Sequence, residues 1–416
     1  MRYLKAFFIP TLGCMLPAMG QGPLNPVSGP APMMRTLDQV EPRTPISELP
    51  FTISEPGSYY VTDNLEVTGN GILVESDNVS IDLNGFTMRG SGSGLGVRVA
   101  GFDNVRVRNG GIHEFNHGIY KENSNYGRLE ALALSNHTGN GIWIRALSGT
   151  CNGHRIRDVT VSNNGSRGLN LEAGSEGVAS GNVLAGVRAI GNSFNGIRIS
   201  ANGGVSSGNV VRDGWVQGNL QFTALDIIVE NGGRSGGNII ENMRVVENVH
   251  SGLRLIANGS DSINTGNIVR NNQVKRNGNQ TPGLSVVGSS NGQANGNLLE
   301  GNAVHENLSW GIYLNSSLSQ GTSRGNAIRN STVSGNHSYG IRLGGNTEGT
   351  RVENNVVSDH PTGIRVDSSK SFVFTNTLFG NSAGIMAGSG NLVAPLIVGG
   401  TGEIPNTTNP WANFAP

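Results

Sequence analysis

Cysteine is nearly absent from this chain of 416 residues, which has only Cys14 and Cys151. If Cys14 leaves with an export signal, Cys151 cannot form an intrachain disulfide, so the fold stands without covalent staples. Charge is also scarce. Charged residues are 14% of the chain, and 29 Lys and Arg balance 29 Asp and Glu. A net charge of zero supplies no basic field for a phosphate backbone, which excludes nucleic acid as a partner. Beyond the N-terminus no run approaches the ~18 apolar residues of a membrane-spanning helix. There is no calcium-binding Gly-Asp nonapeptide, no phosphate-cradling Gly-Lys-Ser/Thr loop and no Gly-x-Ser-x-Gly elbow in a strand-to-helix setting. His250, His305, His337 and His360 lack metal-ligand spacing, so neither a metal nor a cofactor is expected.

Glycine and asparagine are abundant instead, with 63 Gly and 51 Asn. Each disfavours helix, Gly by about 1 kcal/mol against Ala, so this composition points to an all-β chain. Residues 1–20 read as an export signal: Arg2 and Lys5, an apolar stretch from Ala6 to Met19, and Ala18-Met19-Gly20 as the cleavage site. Leu12-Gly13-Cys14 hints at a lipoprotein cysteine, against which stand Thr11 and the shortness of the apolar run before it. The expected location is therefore secreted, periplasmic or on the cell surface. Residues 21–46 are a Pro-rich extended lead-in, 47–70 an N-terminal cap, 71–390 the repetitive body and 391–416 a C-terminal cap or tail.

The body is a repeat. A Gly followed by apolar, variable and apolar residues recurs at Gly71, Gly96, Gly141, Gly168, Gly196, Gly252, Gly283, Gly311, Gly340 and Gly363, with degenerate copies at Gly118, Ala224 and Gly384. A second frame sets Asn ten residues before Asn at 182/192, 209/219, 238/248, 267/277, 297/307 and 326/336. One such unit cannot bury its apolar face alone, whereas stacked units make a continuous core. The spacing predicts a right-handed parallel β-helix solenoid of about thirteen coils, with stacked Asn amides at the turns and the variable residue outward.

This coil pattern, with Asp82-Leu83-Asn84-Gly85-Phe86 early and Asn406 to Trp411 at the end, resembles secreted bacterial right-handed β-helix proteins of the pectate-lyase-like superfamily. The resemblance implies the fold and a polysaccharide substrate. It does not extend to the acidic calcium cluster of pectate lyases, the paired aspartates of polygalacturonases or the Asp-Pro-His-Glu run of alginate epimerases, all of which are missing here.

The variable positions form a column: Leu73, Arg98, Tyr120, Trp143, Asn170, Arg198, Asp226, Arg254, Ser285, Tyr313, Arg342, Arg365 and Met386. Arginines that grip carboxylates, beside rings that stack on sugar faces, point to an acidic polysaccharide as partner. Trp143, Arg167, Asp226 and Arg254 are the expected binding residues. The position four before each Gly, usually Asn, is Glu114 and His137 in the third and fourth coils, amid His113, His117, Tyr120, Lys121 and Arg145. A ladder broken by ionisable groups marks a candidate catalytic site. Cleavage of a uronate-containing glycan by β-elimination needs a neutralised carboxylate, a base and an acid. Arg198 or Arg167, His117 and Tyr120 are the residues proposed for those roles. The alternative is a non-catalytic surface or adhesive rod, in which the Arg and Asp column serves only stability.

Overall fold

The computed structural model describes residues 41–316, 320–399 and 408–415. The export signal and most of the Pro-rich lead-in lie outside the described residues. From Arg43 onward the chain is one unit, a parallel β-helix in which every named strand pairing is parallel, as between Ile197–Asn202 and Leu225–Glu230.

A representative coil shows how the sequence makes the turn. Ile197–Asn202 forms the longest strand, followed by the three-residue strands Val205–Ser207, Val210–Arg212 and Trp215–Gln217. The long strands stack into a fourteen-stranded front sheet that begins at Phe51–Ile53 and ends at Ala383–Ala387. That is one strand more than the thirteen repeats expected. The extra strand comes from the segment assigned to the cap: Phe51–Ile53 pairs with Ile72–Val74, and Thr44–Ile46 pairs with Tyr59–Val61. At the other end Asn413–Ala415 pairs with Leu396–Val398. Among the described residues no helix is long and apolar enough to cross a membrane.

Alternation along each front strand decides which side chains enter the core. Ile142 and Ile144 are buried, as are Leu169 with Leu171 and Ile197 with Ile199, and their equivalents stack coil upon coil. One member of this column is not aliphatic. Lys121 sits between Val99 and Ile144 with 1% of its surface exposed, and burial lowers its pKa to about 8.

At the corners the backbone leaves the strand ladder, and its inward N–H groups need partners. Asparagine side chains supply them. The Asn209 backbone N–H and Nδ2 both donate to Asn238 Oδ1, at 2.9 Å each, while Nδ2 also donates to the Ala179 carbonyl of the coil before. The same relay joins Asn192, Asn219, Asn248 and Asn277 at a second corner. A third ladder runs through Asn272, Asn302, Ser331, Asn355, Asn376 and Asn413. The ladder Asn is not itself in the left-handed conformation. That falls to the residue before it, such as Gly208, Gly218, Glu247 or Arg276. The repeat glycines have a different reason: a Cβ on Gly168 would lie 2.5 Å from the Gly196 carbonyl and 2.8 Å from Asn192 Nδ2.

Replacing Asn219 by Ala removes the acceptor for the Asn192 backbone and side-chain amides and a donor to Ala189. Orphaning buried polar groups costs about 3 kcal/mol here. Urea unfolding should show a lower midpoint with an unchanged slope.

Candidate functional site

The variable positions form one unbroken register on the outer face of the front sheet, with Tyr120, Trp143, Asn170, Arg198, Asp226 and Arg254 as successive Cα partners. Adjacent rungs lie about 4.8 Å apart. On this face the structure sorts the expected site residues into two separate groups.

The first is aromatic. His117, Tyr120 and Trp143 converge, with ring centroids 5.1 Å apart for His117 and Trp143, 5.4 Å for Tyr120 and Trp143, and 6.4 Å for His117 and Tyr120. The Asn140 N–H donates to His117 Nδ1 at 2.8 Å, so the neutral ring carries its proton on Nε2. Burial lowers the pKa of His117, keeping it neutral. Tyr120 donates its hydroxyl proton to Glu122. Burial first, and then that carboxylate, push the phenol up to about 12, which makes it an acid rather than a base at neutral pH. Trp143 Nε1 donates to Glu172 Oε2 at 3.1 Å, and the Arg145 guanidinium lies 5.3 Å from the indole centroid.

The second group lies in a cleft of about 380 Å³. Arg167, Arg198 and Arg254 meet Asp226 and Glu230 there, with Ile228, Ile256 and Phe222 among the lining. Arg254 grips Asp226 with two bonds of 3.1 and 2.7 Å. Arg198 turns instead to Glu230 at 2.8 Å, so Asp226 pairs with only one of the two arginines that flank it in the column. Arg167 donates to Asn195 Oδ1 at 3.2 Å. Burial, and then the neighbouring Arg198 charge, lower its pKa to about 10. Phe222 is 54% exposed and stands beside Phe194, with ring centroids 5.4 Å apart. Three guanidinium groups against two carboxylates leave this cleft with an excess of one positive charge.

Arg198 is three rungs from Tyr120, about 14 Å along the sheet, so His117, Tyr120 and Arg198 do not share a centre. The guanidinium that does stand with the rings is Arg145. Glu122, Arg145 and Glu172 are Cα partners in a second outward column, two residues beyond the first. The period of two along a strand would have found them. Glu114 also requires correction, because the ladder position of its coil is held by Phe115, whose N–H donates to His137 Nδ1 at 3.1 Å. Glu114 has the left-handed φ of 59° and reaches outward to Arg89. Asp82, in the motif that carried the family resemblance, accepts the Asn84 N–H at 2.9 Å and pairs with Arg108 at 3.0 Å, which gives it a part in holding that turn.

The molecule is a right-handed parallel β-helix protein, and solved structures of that fold superpose on it. A variant of the periplasmic alginate epimerase AlgG matches with a TM-score of 0.53 and 15% identity over 81% of this chain and 84% of that one. The unmodified epimerase gives 0.52 and 16% over 82% and 77%. The Azotobacter vinelandii mannuronan C-5 epimerase AlgE6 A-module gives 0.44 and 18% over 82% and 91%. No curated protein sequence matches. Residues 207–394 match the family described as periplasmic copper-binding protein (NosD). That segment has no cysteine and four histidines, of which His305 is bonded to Ser334 and His360 is buried. Among the described residues no three His, Cys, Asp or Glu side chains converge.

His137 and His154 both stand in Asn ladders, accepting backbone N–H groups at Nδ1. Burial, then the His113 charge, lowers His137 to about 3, and burial, then Lys121, lowers His154 to about 3. The unfolded chain binds protons near pH 6.5 and the folded one does not. Stability is therefore fully present above about pH 6.5 and is lost as the pH falls toward 3. His137→Asn, which restores the ladder residue, should flatten that slope in urea titrations repeated across the range.

Proposed function

We propose that this protein works outside the cytoplasm and binds an acidic polysaccharide along the outer face of the front sheet. The observation that carries this reading is the cleft itself: Arg167, Arg198 and Arg254 outnumber Asp226 and Glu230, beside aliphatic side chains and the exposed Phe222 ring. A sugar ring offers an apolar face and a uronate offers a planar carboxylate, and the cleft presents a partner for each. The NosD family and the epimerase AlgG are both described as periplasmic, and AlgG as acting on alginate. They support the location and the ligand class. Alginate or polygalacturonate should bind with an affinity that falls as salt rises, since contacts this open are screened. Arg198→Ala should weaken binding about tenfold, equivalent to about 1.4 kcal/mol. Salt-insensitive binding, or a variant that binds as well as the parent, would favour the adhesive rod.

The aromatic group favours a second reading, β-elimination on the same polymer. Arg145 is placed to neutralise a uronate carboxylate, and His117 and Tyr120 stand together as the proton-handling pair. In this reading His117 Nδ1 gives up the Asn140 N–H to take the α-proton of the uronate, and Tyr120 turns its hydroxyl from Glu122 to pass its proton to the leaving glycosidic oxygen. Elimination creates an unsaturated uronate that absorbs near 235 nm, whereas hydrolysis yields only new reducing ends. Tyr120→Phe should abolish the absorbance while leaving polysaccharide affinity at the arginine cleft within about twofold. If a broad panel of acidic polysaccharides gives neither signal, the face binds without cutting.

A further inference from the structure

Farther along the same face, beyond Arg254 and Ser285, the outward column continues through Tyr313, Arg342 and Arg365. Three rings gather around one guanidinium there. Arg342 lies 5.3 Å from the Trp310 centroid, 5.6 Å from Tyr313 and 5.1 Å from Tyr339, and Trp310 and Tyr313 are 4.4 Å apart. Arg365 stands 5.8 Å from Tyr339. A single carboxylate serves both arginines: Asp367 accepts from Arg342 Nε at 3.1 Å and from Arg365 Nε at 2.7 Å. Two guanidiniums against one carboxylate repeat the single excess positive charge of the cleft. Both arginine side chains keep part of their surface open, 26% for Arg342 and 35% for Arg365.

A second depression of about 300 Å³ shares Phe222 and Arg254 with the arginine cleft and reaches Thr281 on the next coil. The rung beyond Arg254 presents only the small Ser285 in the column. Trp310 and Tyr313 follow one coil later, so no large or charged member of the column stands between them and Arg254.

We propose that Trp310, Tyr313, Tyr339, Arg342 and Arg365 form a second glycan subsite, and that the ligand is a polymer lying along the coil axis across both. This rests on the reading of the arginine cleft given above. From Arg198 to Arg365 is six rungs, about 29 Å. An extended chain of pyranoses advances by roughly one rung per sugar, so an acidic oligosaccharide of about seven units bridges the two. The linked contacts act as a bivalent pair, in which the second is made at the effective concentration set by the first.

Calorimetry with uronic-acid oligosaccharides graded in length from a disaccharide upward tests this on the full chain. Affinity should rise by at least about tenfold once the oligomer reaches the bridging length. Trp310→Ala should collapse the ratio of long to short affinity, and the pair Arg342→Gln with Arg365→Gln should do the same without removing a ring. The melting curve of each variant, followed by circular dichroism, establishes that it is folded. If short and long oligomers bind alike, or if the folded variants keep the length dependence, the second subsite is overturned while the arginine cleft stands. If oligomers of no length bind, the polysaccharide reading itself fails and takes the subsite with it.

Discussion

Every coil must turn inward at its corners, and there the backbone N–H groups point away from the parallel strands that would otherwise receive them. The asparagine relay answers that single constraint. Each amide oxygen accepts from the coil before and each amide nitrogen donates onward, as Asn209 does toward Asn238. An unpaired buried N–H would cost about as much as a whole coil gains from burying one or two aliphatic side chains, so the relay decides whether the stack forms. It also fixes the repeat glycines, because the amide of Asn192 occupies the space that a Cβ on Gly168 would need. The front strands therefore begin at a defined point in every coil. Their outward residues fall into register without further instruction.

That register connects folding to function. Residues 28 apart in sequence, such as Arg198 and Asp226, become neighbours at the strand spacing. The outer face is built from the same position of successive repeats, together with the residue just before each glycine. His117, Arg167, Trp310 and Tyr339 all hold that second position. Two interleaved columns thus suffice to place a ring beside a guanidinium at several stations along the sheet.

The coil architecture and the outward column were legible in the sequence because both depend on periodicity. The Asn pairs ten residues apart were visible for the same reason. The third ladder was not, since Met243 and Ser331 take ladder positions in it and interrupt its chemical signature. At Glu114 counting back from the glycine failed by one residue, because the turn of that coil is shorter and Phe115 faces inward. The choice of partners was not legible either. Whether Arg198 bonds Asp226 on the next rung or Glu230 farther along the neighbouring strand depends on side-chain direction, and no spacing rule contains that information. Lys121 occupies a position that alternation marks as interior, and nothing in the pattern warns that an amine would be tolerated among aliphatic neighbours.

Because successive front strands share one register from Leu95–Ala100 to Ala383–Ala387, the face behaves as a graduated scale. Loss of a whole coil between two stations would bring them closer by one graduation and leave the interior of each intact, since each coil contacts chiefly its neighbours. Gain of a coil would do the reverse. The separation between outward side-chain groups is then a countable quantity in this architecture, adjustable by duplication or deletion of one repeat, while their chemistry is set independently by point substitution.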